Sequence, residues 1–228
     1  MLSHLFQALY PKQCFVCKVP ILDQGVLCCG CSSDSIRVFN YCHQCGGEVS
    51  VGSLCPSCDL NDHLNVMRHY IIGYHYQNAM REAIIQLKFN HKMHMVRVIK
   101  ALMYPVLDEC SDALSRVDYI VPMPVDRVRL AGRGFNHMLE IAQSLQSIID
   151  KPIRHDILHK RAFSIPQSNL SKHERATNLH SAFECSQITG HVLLIDDVLT
   201  TGKTLQFAME ALINAGVTEI TVLVLAKA

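Results

Sequence analysis

The residues best suited to chemistry at the start of the chain are cysteines. The chain of 228 residues has 11 of them, and nine lie within the first 58 residues. Two thiolates separated by two residues can reach one ion from a tight turn, and two such turns supply the four sulfurs of a tetrahedral Zn²⁺ site. The spacing therefore predicts one or two structural zinc ions with no coordination position open for catalysis. The predicted ligands are Cys14, Cys17, Cys28, Cys31, Cys42, Cys45, Cys55 and Cys58.

These cysteines form an internal repeat. Matching positions of the two halves are 27 or 28 residues apart, which indicates two copies of one unit. Ligand pairing within each copy is the favoured arrangement, and an interleaved arrangement is the alternative. A disulfide framework and an iron–sulfur cluster are weaker hypotheses. Cys29 adds a ninth thiol beside the second pair, and His43 and His63 are weaker ligand candidates.

A second candidate site combines two carboxylates with a loop of hydroxyls and glycine. An apolar strand pattern ends in Asp196 and Asp197, and Thr200–Thr204 follows before a helix pattern begins. Ligands of open α/β sheets bind beyond the carboxyl ends of strands, and the amides that open a helix bind anions. Adjacent carboxylates accept hydrogen bonds from neighbouring sugar hydroxyls, so the pattern predicts a ribose 5-phosphate site. The alternative is an Asp pair that only caps the next helix.

Cationic side chains concentrate in one part of the chain. Residues 116–175 hold ten Lys and Arg against six Asp and Glu, whereas the whole chain has a formal net charge of +1. A generally basic nucleic-acid coat is excluded, but a local patch for pyrophosphate or a nucleic-acid backbone is not. The stretch 127–134 is expected to be a loop, and Phe89, Phe135 and Phe163 are weaker candidates for stacking bases. The patch candidates are Arg127, Arg129, Arg133, Lys160, Arg161, Lys172 and Arg175.

The elements that must position these residues alternate between strand and helix patterns. Short apolar runs at 119–121, 192–195 and 220–225 read as buried strands, and helical spacing recurs over 135–148 and 205–212. Continuous apolar strands separated by helices predict a parallel sheet covered on both faces. The composition changes near residue 65, which predicts a small cysteine-rich domain over 1–65 and an α/β domain over 66–228.

Two further expectations concern location. No apolar run approaches the length that a membrane span needs. The first residues contain no basic leader, so a signal peptide is not expected. Without a secretory signal, a disulfide framework is the weaker interpretation of the cysteines.

Together the motifs resemble a known family. Residues 192–205 resemble the phosphoribosyl-diphosphate (PRPP) motif of type I phosphoribosyltransferases, and the wider chain is similar to the ComF/GntX family of competence-associated proteins. The resemblance is carried by the cysteine array, by VPMP at 121–124, by RGFNH at 133–137 and by the PQ…L…ER..N pattern of 166–178. Family members often have Gln where His137 stands. The resemblance implies an α/β fold, with a type I phosphoribosyltransferase-like parallel sheet flanked by helices and preceded by a double zinc ribbon.

The same resemblance implies a function. It points to a competence protein of natural transformation that handles incoming single-stranded DNA in the cytoplasm, at the inner face of the inner membrane beside the DNA-uptake machinery. The alternative is an active phosphoribosyltransferase that transfers ribose 5-phosphate from PRPP to a nucleobase or amine, so enzyme activity is left open. Asp196 and Asp197 would be the catalytic pair, and Mg²⁺ would accompany PRPP. The implied PRPP-binding residues are Asp196, Asp197, Val198, Thr200, Thr201, Gly202, Lys203 and Thr204.

Overall fold

The computed structural model describes residues 12–21, 25–50, 52–59, 67–161 and 182–228. The strands are β1 Met67–His75, β2 Tyr119–Pro122, β3 Leu158–Lys160, β4 Phe183–Cys185, β5 Gly190–Leu199 and β6 Val217–Lys227. The helices are α1 Cys29–Ser33, α2 Pro56–Asp59, α3 Asn78–Asn90, α4 Met95–Glu109, α5 Ser111–Ser115, α6 Arg127–Arg133, α7 His137–Ile149 and α8 Lys203–Asn214.

The centre of the molecule is a four-stranded parallel sheet in the order β1–β6–β5–β2. Its two central strands are apolar and buried on both faces, as in Val192–Ile195 of β5 and Val222–Ala226 of β6. Such strands need a helical layer on each side to exclude water. The predicted parallel sheet and its three apolar runs are therefore confirmed.

The directions of the crossover connections show which face of the sheet each helix covers. The connection from β1 to β2 crosses the sheet in one direction through α3 and α4, and the connection from β5 to β6 returns through α8. Since parallel crossovers are right-handed, these two connections lie on opposite faces. Helix α7 packs against α4 and joins its layer, while α8 packs beside the antiparallel β3–β4 hairpin.

The cysteine-rich part packs against the outer edge of β1. Backbone hydrogen bonds join Val38 N–H to the Gly73 carbonyl (3.0 Å), His75 N–H to the Ile36 carbonyl (2.9 Å) and Tyr70 N–H to the His43 carbonyl (2.6 Å). Arg37 adds two hydrogen bonds, of 2.9 and 3.1 Å, to the Glu109 carboxylate at the end of α4. The two parts of the chain therefore share a continuous hydrogen-bonded edge.

One expectation from the sequence is wrong, and several lie outside the described residues. The stretch expected to be a loop is helix α6, because Asp126 caps its start by accepting from Arg129 N–H (2.8 Å) and Gly134 ends it with a φ of 76°. The predicted boundary at residues 65 and 66, His63, Phe163, the 166–178 pattern, Lys172 and Arg175 all lie outside the described residues.

Among the helices in the described part of the chain, none combines the length and the apolar composition that crossing a membrane requires.

Candidate functional site

A cleft of about 520 Å³ opens at the carboxyl end of the sheet. Its floor is the end of β5, and its walls are the segment after β2, helix α6, the start of α7 and the end of α3. Parallel sheets bind ligands at this edge because loops from neighbouring strands diverge there. The cleft contains most of the polar residues that the sequence pattern singled out. Those lining it are Arg129, Arg133, His137, Lys160, Asp196, Asp197, Thr200, Thr201, Gly202 and Thr204, and the cleft is also lined by Lys88, Phe89 and Asp126.

Asp197 lies at the centre of a chain of charged and polar side chains. Its Oδ2 accepts a hydrogen bond from His137 Nε2 (2.8 Å) and forms an ion pair with the Lys88 ammonium. His137 Nδ1 in turn faces Arg133 Nη1 at 2.8 Å. Because a guanidinium only donates, Nδ1 must accept and Nε2 must carry the imidazole proton. Arg133 thereby fixes the tautomer in which His137 donates to Asp197.

The pKa values of the two carboxyls are driven apart. Burial opposes ionisation of Asp197, but the His137 hydrogen bond and the Lys88 charge outweigh it and lower its pKa to about 2. Burial, together with the negative charge of Asp197, raises the pKa of Asp196 to about 7. Burial also lowers the pKa of His137, which keeps its ring neutral. At neutral pH Asp197 is therefore a fixed anion, while Asp196 lies near its titration midpoint.

Each carboxylate retains an oxygen for a ligand. Both described side-chain partners of Asp197 contact Oδ2, and Asp196 Oδ1 accepts from the backbone N–H of Asp197 (2.9 Å). Asp197 Oδ1 and Asp196 Oδ2 are therefore the atoms that can accept hydrogen bonds from neighbouring hydroxyls.

The loop after β5 leads into the N-terminus of α8. Gly202 occupies the N-cap position with a φ of 72°, a left-handed conformation that favours glycine, and no side chain caps the helix. The alternative in which the Asp pair caps this helix is therefore wrong. The first amides of α8 have no partner inside the helix, and the positive end of the helix dipole lies at Gly202, which lines the cleft. Thr200, Thr201 and Thr204 are exposed beside them.

The cationic candidates divide into three groups. Arg129, Arg133 and Lys160 line the cleft, where Asp126 lies 3.3 Å from Arg129 Nε and 3.9 Å from Lys160 Nζ. Arg127 begins α6. Arg161 pairs instead with Glu184 on the neighbouring strand β4. Of the predicted phosphate-loop residues, Lys203 begins α8 and is exposed without lining the cleft.

Lys88 and Asp126, which sequence reasoning did not assign to this site, complete it together with Phe89, which was predicted only as a weaker candidate for stacking bases. Lys88 and Phe89 end α3, and Asp126 precedes α6. His137 was noted only as a departure from the family pattern. A glutamine at that position could donate the same hydrogen bond to Asp197, so the departure keeps the contact. The local signal for Lys88 and Phe89 was a basic–aromatic pair at the end of an amphipathic helix, which only the tertiary fold brings to Asp197.

The eight paired cysteines form two clusters, each drawn from one repeat. The first cluster is Cys14, Cys17, Cys28 and Cys31, and the second is Cys42, Cys45, Cys55 and Cys58, with all sulfurs of a cluster within 4.8 Å of one another. The favoured pairing within each repeat is thus confirmed. Cys29 is exposed and belongs to neither cluster.

The sulfur geometry fits zinc. Zinc–sulfur bonds of ~2.3 Å in a tetrahedron require sulfurs about 3.8 Å apart. The Cys17 and Cys28 sulfurs are 3.6 Å apart, and the Cys45 and Cys55 sulfurs are 3.8 Å apart. These separations far exceed a disulfide bond of about 2.05 Å. Four thiolates leave no ligand position open, so both clusters suit structural zinc ions.

The second cluster reaches the cleft through one side chain. A Cβ atom at Gly46 would lie 2.8 Å from Leu199 Cδ2, and a Cβ atom at Gly202 would lie 3.5 Å from Leu199 Cδ1. The Leu199 side chain therefore fills the space between a zinc knuckle and the loop that opens α8. Lys227 Nζ also donates to the Gly46 carbonyl (3.0 Å), which fixes the knuckle to the end of β6.

Comparison with known proteins identifies both parts of the chain. Residues 5–59 match the double zinc ribbon domain family, and residues 139–228 match the phosphoribosyl transferase domain family. A solved structure of Leishmania donovani UMP synthase is similar to 58% of this chain at 21% identity, with a TM-score of 0.32. The match covers 24% of that protein.

Relatives extend over almost the whole length. The chain is 30% identical to competence protein F of Haemophilus influenzae over 225 residues, which is 95% of this chain and 97% of the relative. It is 28% identical to competence protein ComFC of Bacillus subtilis, covering 83% and 79% of the two chains. It is 27% identical to the DNA utilization protein YhgH of Escherichia coli K12, covering 93% and 95%. The chain therefore belongs to the ComF/GntX family of competence-associated proteins, in which a double zinc ribbon precedes a phosphoribosyltransferase domain.

Proposed function

We propose that the protein binds PRPP in the cleft and handles incoming single-stranded DNA during natural transformation. The observation that carries PRPP binding is the joint placement of two carboxylates, a helix N-terminus and three cations in one cleft. Asp196 and Asp197 would accept hydrogen bonds from the ribose 2- and 3-hydroxyls. The Thr200–Thr204 loop would hold the 5-phosphate against the amides of α8.

The pyrophosphate end of PRPP would meet the cationic wall of the cleft. Arg129, Arg133 and Lys160 line this wall, and Arg133 is held in place by its contact with His137. Mg²⁺ would arrive with PRPP and be held mainly by the ligand's phosphate oxygens and water. Asp196 has no ion-paired partner among the described side chains, so its carboxylate would be the protein group available to help hold that ion.

Calorimetric titration of PRPP with Mg²⁺ tests this site. Wild type should bind, and the double variant Asp196→Asn/Asp197→Asn should lose binding while its zinc content stays unchanged. Asp112→Asn removes an exposed carboxylate from α5, outside the cleft, and is the matched control. Undiminished affinity in the double variant would show that PRPP does not use this carboxylate pair.

Handling of single-stranded DNA is supported by the names of the relatives and by the charge of the cleft. The same cations that suit pyrophosphate suit a sugar–phosphate backbone, and each neutralised phosphate of a single strand adds about 0.7 to the slope of log affinity against log salt. Arg129→Ala should reduce that slope by about 0.7. Arg81→Ala, an exposed arginine at the opposite end of α3 from the cleft, should not change it. Failure of wild type to bind at low salt would refute DNA handling.

Phosphoribosyl transfer to an acceptor is the second candidate function. It is supported by the phosphoribosyl transferase domain match and by the carboxyls with separated pKa values, because such pairs divide acid and base roles. The reaction passes through a positively charged sugar with a departing pyrophosphate, so positioning and charge stabilisation would supply most of the catalysis. Release of pyrophosphate from PRPP over a panel of nucleobases and amines is the assay. PRPP binding without release for any acceptor would leave a ligand-binding site.

A further inference from the structure

Phe89 has an aromatic ring that is exposed to water in the cleft. Its side chain is 66% exposed at the last turn of α3. Nine large apolar side chains are exposed among the described residues, and of these only Phe89 lines the cleft. Single exposed apolar side chains are ordinary on a protein surface, so the position of Phe89 in the cleft, and not its exposure alone, distinguishes it from the others.

The surroundings of the ring suit a flat ligand joined to phosphate. The Arg133 guanidinium carbon lies 5.6 Å from the centre of the Phe89 ring, and Arg129 and Lys160 line the same cleft. Aromatic rings and guanidinium planes both stack on nucleobases, whereas cations alone track the backbone. The neighbouring residue Lys88 pairs with Asp197, so the ring and the proposed sugar site share one cleft.

Among the described residues, the other aromatic candidate does not offer such a surface. Phe135 packs edge-on against His91, with ring centres 5.7 Å apart, and is partly buried against the core. Phe163 lies outside the described residues. Phe89 is thus the predicted stacking aromatic whose ring the described structure leaves exposed in the cleft.

We propose that Phe89 and Arg133 form a stacking shelf for one unstacked nucleobase inside the cleft, beside the carboxylate pair. This inference rests on the proposed function and extends it, because it assigns a base-binding position to the PRPP site. The base comes either from single-stranded DNA or from a free nucleobase acceptor. Both share the same stacking chemistry, and the experiment separates them.

The first measurement compares an oligothymidylate of about 12 nucleotides with an abasic oligonucleotide of the same length, since single-strand sites span roughly 4–16 nucleotides. Wild type should bind the thymidylate about 5- to 150-fold more tightly, the equivalent of ~1–3 kcal/mol for one stacked base. Phe89→Ala should lower thymidylate affinity to the abasic level and leave abasic binding unchanged. Because Phe89 is exposed, the Phe89→Ala variant should have the same circular dichroism and zinc content as wild type.

Phe39 provides a matched control. It is 71% exposed and lies under a guanidinium, with Arg37 5.3 Å from its ring centre, but it does not line the cleft. Phe39→Ala should leave both affinities unchanged. An equal loss in the two variants would overturn the shelf, because it would show only a general effect of exposed phenylalanines.

A fluorescent variant reports stacking directly. The chain contains no tryptophan, so Phe89→Trp introduces a single reporter at the shelf. Thymidylate should quench its emission and the abasic strand should not. Quenching by free nucleobases with PRPP present identifies an acceptor pocket, and quenching by the oligonucleotide alone identifies a DNA shelf.

The outcomes separate the shelf from the function on which it rests. If wild type binds both oligonucleotides equally and Phe89→Ala changes nothing, the shelf is wrong and DNA handling stands. If wild type binds neither oligonucleotide, DNA handling fails, and quenching by free nucleobases then decides the shelf. Absence of quenching by every base and oligonucleotide overturns it.

Discussion

The two cysteine clusters have the same ligand pattern and different neighbours. Both place four sulfurs within 4.8 Å of one another, and both come from copies of one repeat. Their zinc chemistry should therefore be alike. Their contacts with the α/β domain differ, because each copy meets a different part of that domain.

The first cluster lies beside helices of the α/β domain. The Phe15 ring contacts His94, which precedes α4, with ring centres 5.1 Å apart. Nearby, Asn78 at the start of α3 donates from Nδ2 to the Asp34 carbonyl (2.6 Å). None of these residues lines the cleft.

The second cluster packs against the carboxyl end of the sheet. Gly46 approaches Leu199 and Tyr70 closely, and its carbonyl accepts from Lys227. Leu199 lines the cleft and also borders Gly202 of the phosphate-type loop. The two clusters therefore differ in what they pack against, and among the contacts of the described residues it is the second cluster that meets a residue lining the cleft. The following experiments test this difference.

Removing one cluster at a time should give the largest contrast. Cys42→Ser/Cys45→Ser should lose one zinc ion and weaken PRPP binding by at least about tenfold, because the phosphate loop loses a preorganising support. Cys14→Ser/Cys17→Ser should also lose one zinc ion but keep PRPP affinity within about threefold. Zinc analysis and calorimetry on both variants check this. Equal losses of affinity would contradict the proposed difference.

Truncating the apolar contact of each cluster should sharpen the comparison without touching a metal ligand. Leu199→Ala removes a side chain that is 4% exposed, so it should cost about 2–5 kcal/mol of unfolding free energy and also weaken PRPP binding. Phe15→Ala removes a partly buried ring and should cost less stability, with PRPP affinity unchanged. Thermal denaturation and calorimetry measure the two effects. Loss of PRPP affinity in Phe15→Ala would argue for a general effect of domain docking.

Substitutions at two glycines of the second repeat distinguish the effect of steric contact from the effect of backbone strain. Gly46 and Gly52 have φ values of 71° and 83°, but an added Cβ atom meets Leu199 and Tyr70 only at Gly46, with nothing within 4 Å at Gly52. Both substitutions to Ala should cost on the order of 1–3 kcal/mol in strain. Only Gly46→Ala should also weaken PRPP binding. If Gly52→Ala weakens it equally, the contact with Leu199 is not what links cluster and loop.

A pH experiment should have the smallest effect on the comparison of the two clusters, because the group that titrates lies in the cleft. The Asp196 carboxyl ionises near pH 7 in the folded chain and near 3.8 when unfolded. A raised carboxyl pKa means that ionisation removes stability progressively as pH increases from about 4 to 7. Asp196→Asn should therefore raise the melting temperature by up to roughly 10 °C at about pH 8 and by less at about pH 5. Zinc content should not change, and a pH-independent shift would contradict the assigned pKa.

Contiguous features of this molecule were predictable from sequence. The cysteine pairs, the buried strands and the Asp196–Thr204 stretch each lie within a short segment whose spacing reflects one local geometry. Helix α6 was also predictable in principle, since Asp126 at its start and Gly134 after its end are ordinary cap residues.

Features that depend on tertiary contact were not predictable. His137 is 60 residues from Asp197 in the chain, and Lys88 is farther still. No periodicity connects them, because the sheet order β1–β6–β5–β2 brings the end of α3 beside β5. For the same reason the sequence could not distinguish the neighbours of the two zinc clusters.

The hydrogen bonds between residues 36–43 and the rim of β1 have a practical consequence. A bare outer strand offers unpaired amides and carbonyls to any other extended chain, and proteins usually cover such strands. Here the cover comes from the cysteine-rich part of the chain. Shortening the protein to its α/β domain would unmask that strand, so the truncated product should self-associate, and chelation of zinc should promote the same fate in the intact chain.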